Sequence, residues 1–524
     1  MKVPLNVKRF LDRASRIYGN KVAVIDQDGQ FTYREFHERA QRLSHGLQSL
    51  GVGQGDRVAL LAYNNHPLLE AYFGVVQFGA ILVPLNIRLT FDEIAYIVED
   101  AEPKVLLFDS DFEGWAKELS RLHPEIRLVE IGIEGGHPDY QDYESLLAGA
   151  SSVPIDTEVD EDQVAEIFYT SGTTSRPKGV ALTHRSLYLH ALQTGFGGGL
   201  DDTIVLLHTI PLFHVNGWGT PHYVTALGGT HVMLRRFVPR RVFELVQAHG
   251  VTHADLVPTM VGMLLEDASR AQYDLSSLVQ LSVGGAPSPS SFVAASMQGL
   301  GGQYCGGYGL SESCPVVAVA TVKSTLRDAP QELQNTLRGY AGLPLVGIDV
   351  RIEGADGREL PWDGTSVGEL LVRGDSVMQG YWNQPEATET TLRGGWLHTG
   401  DVAIIHPEGY IKIVDRLKDI IISGGENIST AEIEDVLYSH PAVRECAVVG
   451  RPHEKWGEVV HAAVSLRTGA SASEEELLAY AREHLAAFKA PRSLEIWPEL
   501  PKTGTGKILK SSVRERLQGD REGS

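Results

Sequence analysis

A chain of 524 residues, 43% hydrophobic and 22% charged, exceeds one ordinary core and predicts at least two globular domains. Its formal net charge of −21 argues against a nucleic-acid partner, because a phosphate backbone demands a basic face. The three scattered cysteines (Cys305, Cys314, Cys446) suit a reducing compartment and make neither a disulfide framework nor a zinc site.

The first twenty residues carry charges throughout and have no continuous apolar core, so they do not read as a signal peptide. The most apolar stretch, 71–85, contains Gln77 and Pro84 and is shorter than the ~20 residues of a membrane span. The tail Arg521-Glu522-Gly523-Ser524 is not a peroxisomal SKL signal. The expected location is the cytoplasm, with no membrane span.

From Phe31 the chain alternates. Phe36, Ala40, Leu43 and Leu47 recur at helical spacing and predict a helix ending at Gly51. Strands follow at 57–62, 81–85 and 104–108, with helices at 66–78 and 91–100 between them. This order implies a parallel sheet covered on both faces. After residue 180 the pattern resumes with a helix at 183–193 and strands at 203–208, 231–234, 252–256 and 278–283. Gly195 to Gly199 reads as a flexible loop.

Beyond about Asp363 shorter strands (VGELLVRG, GYIKIVDR) suggest a small β-rich subdomain. From Ser429 a compact α+β unit is predicted, with Ser429 or Thr430 capping a helix, strands at 445–449 and 459–466, and a helix at 473–488. From Arg416 to Ser524 there are 15 basic and 17 acidic residues, so nearly all of the net charge lies before that point. The predicted division is 1–415 and 416–524. The fold class is α/β: a large N-terminal domain of doubly wound subdomains plus a small β-rich one, then a small α+β C-terminal domain.

Between the two alternating stretches lies FYTSGTTSRPKGV, residues 168–180. Successive N–H groups in such a loop make a concave anion site, and a lysine adds a point charge for phosphate. An ordinary Ser/Thr/Gly-rich surface loop is the competing reading. The P-loop pattern GxxxxGK[ST] is absent, which argues against a kinase or a P-loop ATPase. Near the C-terminus, Pro501 to Ile508 (PKTGTGKI) holds a lysine on a loop with two glycines, able to swing onto a phosphate. Four more stretches accompany these: VGGAP (283–287), GYGLSE (307–312), WLHTGD (396–401), and DRLKD (415–419) running into SGGEN (423–427).

In this order and spacing, the motifs resemble those of the adenylate-forming superfamily of acyl-CoA synthetases, acyl and aryl ligases, luciferases and peptide-synthetase adenylation domains. The resemblance runs from about Phe31 to Leu509. It implies an enzyme that joins a carboxylate to AMP with release of pyrophosphate and then passes the acyl group to a thiol. Preorganised cations and N–H groups would stabilise the charge that develops on the α-phosphate.

On this resemblance Thr170, Ser171, Gly172, Thr173, Thr174 and Lys178 embrace the β/γ phosphates of ATP. Gly285, Ala286 and Pro287 lie along the adenine, and Tyr308, followed by Gly309, stacks on it. Ser311 touches the α-phosphate. Glu312 holds Mg²⁺, with Thr170 as a second oxygen ligand. Asp401 accepts from the ribose hydroxyls and Arg416 assists. Lys507 bridges the carboxylate and the α-phosphate, which makes Lys507, Thr170, Glu312 and His214 the catalytic candidates. Lys418 marks a hinge about which the C-terminal domain turns between half-reactions, withdrawing Lys507 and bringing Gly424 and Gly425 to the pantetheine tunnel. Ser175 stands where the family's loop usually has glycine, and resists φ > 0. Ser311 stands where the family usually has threonine, and keeps the hydroxyl.

The acid pocket is sought in Pro211 to Gly219, PLFHVNGWG. Its candidates are His214, Val215, Asn216 and Trp218, with Gly284 and Gly307 beside them. HVN followed one residue later by tryptophan resembles medium- and long-chain fatty acyl-CoA synthetases, in which the tryptophan closes a fatty-acid tunnel. The expected acid is therefore a medium- to long-chain fatty acid. The alternatives are an aromatic acid of the benzoate or cinnamate type, and a non-catalytic nucleotide-binding paralogue. With no carrier domain after Leu517, the expected acceptor is coenzyme A. Expected partners are thus the acid, ATP and CoA, with a homodimer as a candidate assembly.

Overall fold

The computed structural model describes residues 3–132, 140–170, 176–423, 426–453, 456–502 and 508–519. Ser171 to Ser175, Gly424, Gly425 and Lys507 lie outside the described residues. The chain divides into two compact units. The first comprises Met1–Val350, Val372–His398 and Glu408–Ile411; the second comprises Arg351–Leu371, Thr399–Pro407 and Lys412–Ser524.

The first unit is built on two sheets. One has nine strands in the order Leu343–Pro344, Val316–Val319, Gln303–Gly309, Gln280–Val283, His253–Leu256, Val205–His208, Thr230–Met233, Val22–Asp26, Gly29–Thr32. Its six central strands, from Gln303–Gly309 to Val22–Asp26, are mutually parallel, and both ends are closed by antiparallel pairs. The other has eight strands in the order Gly380–Tyr381, Lys178–Thr183, Val164–Thr170, Ile81–Pro84, Arg57–Leu61, Pro103–Asp109, Arg127–Ile131, Gln141–Asp142.

The runs of Val, Ile and Leu in the central strands are buried on both faces, as parallel strands between helical layers require. One continuous core takes Phe36, Leu43 and Leu47 of the helix Tyr33–Ser49 together with Val58, Leu60, Phe168, Leu182 and Val224. That helix begins in a capping box, with Thr32 accepting from Glu35 N and Glu35 reaching back to Thr32 N.

The predicted strands and helices of the first half are found within a few residues of their expected ends. Other elements were not foreseen, among them the helices Lys8–Ile17 and Glu113–Leu122 and the strand Arg127–Ile131. The opening strands Val22–Asp26 and Gly29–Thr32 precede the point where the alternation was read. The glycines of 195–199 are not all loop: the helix His184–Gly197 runs through Gly195 and Gly197 before it stops at Gly198. Helical hydrogen bonds upstream carry it past residues of poor intrinsic propensity.

In the second unit a four-stranded sheet runs Asp349–Glu353, Gly368–Arg373, Leu397–Ile405, Ile411–Arg416. The last part of the chain forms a five-stranded sheet in which the long pair Val443–His453 and Gly457–Leu466 is antiparallel and Ser493–Ile496 joins it in parallel. Alternate residues of Val443–His453 serve two cores. Cys446 and Val448 pack with the helices Thr430–Tyr438 and Glu474–His484, whereas Ala447 and Val449 pack with Trp497, Leu500 and Val513. Of the two predicted caps, Ser429 or Thr430, Ser429 is the N-cap, accepting from Glu432 N. Among the described residues no helix is long and apolar enough to cross a membrane.

Candidate active site

In open parallel sheets, ligands bind outside the carboxyl ends of the strands. The candidate residues of the first unit collect at such ends. Val164–Thr170 and Lys178–Thr183 are antiparallel neighbours, with Thr170 directly opposite Lys178 and its Oγ1 3.5 Å from the Lys178 carbonyl. Lys178 is held half-buried.

The edge strand Gly380–Tyr381 pairs with Ala181 and Val180 and delivers a residue that the sequence reading missed. The Tyr381 hydroxyl donates to Glu312 Oε1 at 2.7 Å, and Lys178 Nζ stands 4.9 Å from the Tyr381 ring centroid. A second bond, from Met378 N to the Glu312 carbonyl at 2.8 Å, fixes the Glu312 backbone. Lys178, Tyr381 and Glu312 therefore form one charged cluster. The ring offers its negative face to the ammonium, and the hydroxyl orients the carboxylate. Burial and the Glu312 charge push the Tyr381 phenol well above its ordinary range, so it remains a donor. Its sequence signal is faint: a Gly-Tyr dipeptide in a turn-rich stretch.

Glu312 is half-buried in the short turn Ser311–Ser313, and Ser311 itself is buried. Two hard oxygen ligands, Glu312 and Thr170, with no soft donor among the proposed pair, suit Mg²⁺. The ion would neutralise phosphate charge there. Tyr308, half-buried, sits on the strand Gln303–Gly309, while Gly285, Ala286 and Pro287 form an exposed shoulder after Gln280–Val283, with Gly285 at φ 89°.

The acid-pocket candidates share an unusual backbone. Val215, Asn216, Gly217, Trp218 and Gly219 all have positive φ, from 37° to 88°, and make a left-handed turn at the start of Val215–Leu227. Left-handed conformation costs an L-residue roughly 1–2 kcal/mol. His214, exposed, precedes the turn. Trp218 is half-buried, and its Cη2 lies 3.0 Å from where a Cβ on Gly284 would stand. The same Cβ would sit 3.4 Å from the Gly307 carbonyl, so glycine at 284 is what admits the indole.

Ser282 shares the Gly284 face, and one register row holds Asp255, Ser282 and Cys305. Asp255 is buried beside Ser282 and 3.5 Å from the Tyr223 hydroxyl. Burial lifts its carboxyl to about 7, against the lowering effect of both hydroxyls. The sequence reading missed Asp255 because it lies in a short strand that reads as core.

In the second unit, Asp401 and Arg416 are paired: Nε to Oδ1 is 2.6 Å, with the carboxylate buried and the guanidinium side chain nearly half-exposed. Gly400, at φ 68°, turns the strand so that Asp401 follows inward. Its neighbour Asp415 has a structural task, accepting from Thr430 N and Oγ1, both at 2.6 Å, at the start of the helix Thr430–Tyr438. Lys418 lies in a turn closed by Asp419 N to the Arg416 carbonyl at 2.8 Å, with Leu417 N on the Gly400 carbonyl at 2.8 Å.

The motif-bearing sequence and this architecture match known proteins. The AMP-binding enzyme profile matches residues 11–382, and the AMP-binding enzyme C-terminal domain profile matches 432–507. A peroxisomal butyrate–CoA ligase of Arabidopsis thaliana is 38% identical over 98% of this chain and 93% of its own. A long-chain-fatty-acid–CoA ligase of Thermus thermophilus is 39% identical, covering 99% and 96%. The crystal structure of the anthranilate CoA ligase AuaEII in complex with anthranoyl-AMP superposes with a TM-score of 0.91 at 27% identity, covering all of both chains. The chain belongs to the AMP-binding enzyme family, the adenylate-forming superfamily of acyl- and aryl-CoA ligases.

Proposed function

We propose that this protein activates a medium- to long-chain fatty acid as its acyl-AMP and transfers the acyl group to coenzyme A. At the coarser level it is an AMP-forming acid–CoA ligase, with ATP and CoA as co-substrates. The observation that carries the finer reading is Trp218 laid across Gly284 at the carboxyl end of the parallel strands, an apolar indole over a platform without side chains. A hydrocarbon chain gains from such a surface, and a change of one methylene is worth roughly 1–3 kcal/mol of discrimination. On this reading Lys178 and the hydroxyl-rich loop hold the triphosphate, Glu312 with Thr170 holds Mg²⁺, Asp401 and Arg416 address the ribose, and Lys507 joins carboxylate to α-phosphate. The domain border near residue 415 and the hinge at Lys418 belong to the same proposal. We place the enzyme in the cytoplasm, supported by three free, buried cysteines.

A specific observation favours a second reading. Asp255 and Ser282 share a register row on the face that carries Gly284, with the Tyr223 hydroxyl of the neighbouring helix against Asp255, and these groups suit a compact or aromatic acid with a hydrogen-bonding substituent. Both readings are tested by kcat/KM for straight-chain acids from acetate to palmitate and for benzoate and cinnamate, on wild type and Trp218→Ala. The fatty-acid reading predicts a maximum at medium or long chains that flattens in the variant. A maximum at aromatic or short acids contradicts it. A loss of roughly 3–5 kcal/mol of stability with an unchanged acid profile would make Trp218 packing only.

A further inference from the structure

The left-handed turn Val215–Gly219 requires support from outside itself. Three of its five residues carry side chains, and Val215 is β-branched, which makes positive φ still less favourable. Such a conformation persists only where surrounding contacts over-determine it.

Those contacts come from the eight-stranded sheet and the elements around it. Asn216, 0% exposed, donates Nδ2 to Glu166 Oε2 at 3.2 Å. The other Glu166 oxygen, Oε1, lies 3.1 Å from His222 Nε2, with the two side chains 0% and 1% exposed. His222 is itself wedged edge-on against Tyr72, at 5.8 Å between ring centroids, and Phe73, at 5.9 Å. Just before the turn, Leu212 is tied on both sides of its peptide: its N donates to Asn64 Oδ1 at 2.8 Å, and its carbonyl accepts from the Tyr72 hydroxyl at 2.6 Å. The segment is thus pinned before, within and after the turn.

A carboxylate, an amide and an imidazole in an apolar core are costly to bury, and well-packed apolar residues of equal volume would serve stability at least as well. Their placement gives them another use. Glu166 lies on Val164–Thr170, on the face that also carries Phe168 and Thr170, four residues ahead of the threonine that opens the hydroxyl-rich loop. We infer that Glu166 is a positioning residue for the acid half-site: through Asn216 it holds the left-handed turn that sets Trp218 against Gly284, with the His222 ring packed behind the carboxylate. The inference rests on reading Pro211 to Gly219 as the acid pocket.

The test compares Glu166→Leu, which keeps volume but loses the acceptor, with Glu166→Gln, which keeps an acceptor for Asn216. Glu166→Leu should raise KM for the preferred acid about tenfold or more, the scale of one lost buried hydrogen bond, and leave KM for ATP within about twofold. Glu166→Gln should restore most of the acid KM. Should the leucine variant fail to fold, Asn216→Ala and Asn216→Gly replace it. Alanine should behave as the leucine variant was expected to, whereas glycine, which adopts positive φ freely, should recover much of the loss.

Equal rises in the acid and ATP constants, or no rise in either the leucine or the alanine variant, overturn the inference. Amide hydrogen exchange reads the same claim without activity. Protection across 214–220 should fall in the leucine and alanine variants while that of 164–170 holds, and unchanged protection across 214–220 overturns it. A wild type that turns over no acid defeats the functional reading instead, and exchange then decides the positioning claim alone.

Discussion

Tyr381 shows how much of this site depends on a single hydroxyl. It joins the lysine at the end of the proposed phosphate loop to the carboxylate proposed for Mg²⁺. Tyr381→Phe keeps the ring under Lys178 and removes only the donor to Glu312. Adenylation should slow about tenfold, as expected for one hydrogen bond to a charged group, with melting temperature nearly unchanged. An unaltered rate at saturating and at limiting Mg²⁺ would show that the hydroxyl does not orient Glu312 for the reaction. Asp401 and Arg416 make the contrasting case. Both were picked out by their motifs and the family resemblance, Asp401 from WLHTGD, midway along Leu397–Ile405, and Arg416 from DRLKD, at the end of Ile411–Arg416. Tyr381 and Asp255 were not, because a tyrosine in a turn-rich stretch and an aspartate in a short apolar strand read as surface and core until the sheets bring them to the site.

At the scale of elements, period and punctuation revealed most strands and helices but not how the strands associate. The alternation implied doubly wound subdomains with parallel strands, and the structure has two such sheets, each with antiparallel edge pairing that the alternation did not announce. Pairing across long separations leaves no local trace, so the partner of Gly380–Tyr381 could not be read from its sequence. The left-handed turn was hidden for a related reason: only its two glycines announce positive φ, and Val215, Asn216 and Trp218 are held there by distant groups.

The start of the helix His66–Gly74 carries a prediction of its own. His66 lies 3.0 Å from Asp26 and 3.7 Å from Glu144, with Asp28 at 3.9 Å, and Arg39 bridges Glu70 and Glu144 nearby. Burial alone would lower the imidazole, but these carboxylates raise it to about 9. A folded value above the ordinary 6.5 gives stabilisation that is complete below 6.5 and is lost as pH rises through about 9. Stability should therefore fall by up to roughly 3 kcal/mol between about pH 6 and pH 10, and His66→Gln should flatten that slope. Chemical denaturation at the two pH values checks it; equal slopes in variant and wild type would remove His66 from the account.

For the whole molecule, the proposed chemistry requires one protein to serve two reactions with different geometry. Lys418→Pro fixes φ in the turn that follows the strand Ile411–Arg416 and removes a backbone donor. If the turn is a hinge, the variant should still form acyl-AMP while thioester output collapses by roughly tenfold or more, a split that a merely destabilised protein would not show. Normal thioester turnover would place the pivot elsewhere.

The central claim is that the acid passes through an adenylate on its way to CoA. Incubating the enzyme with ATP, Mg²⁺ and its preferred acid, first without and then with CoA, and following all products by mass spectrometry tests this directly. The account predicts acyl-AMP and pyrophosphate in equal amounts, close to one per enzyme, in the first phase. On addition of CoA the adenylate should disappear, with AMP and acyl-CoA rising together. Thioester formed with ADP and phosphate, or formed with no adenylate at any time, would contradict it.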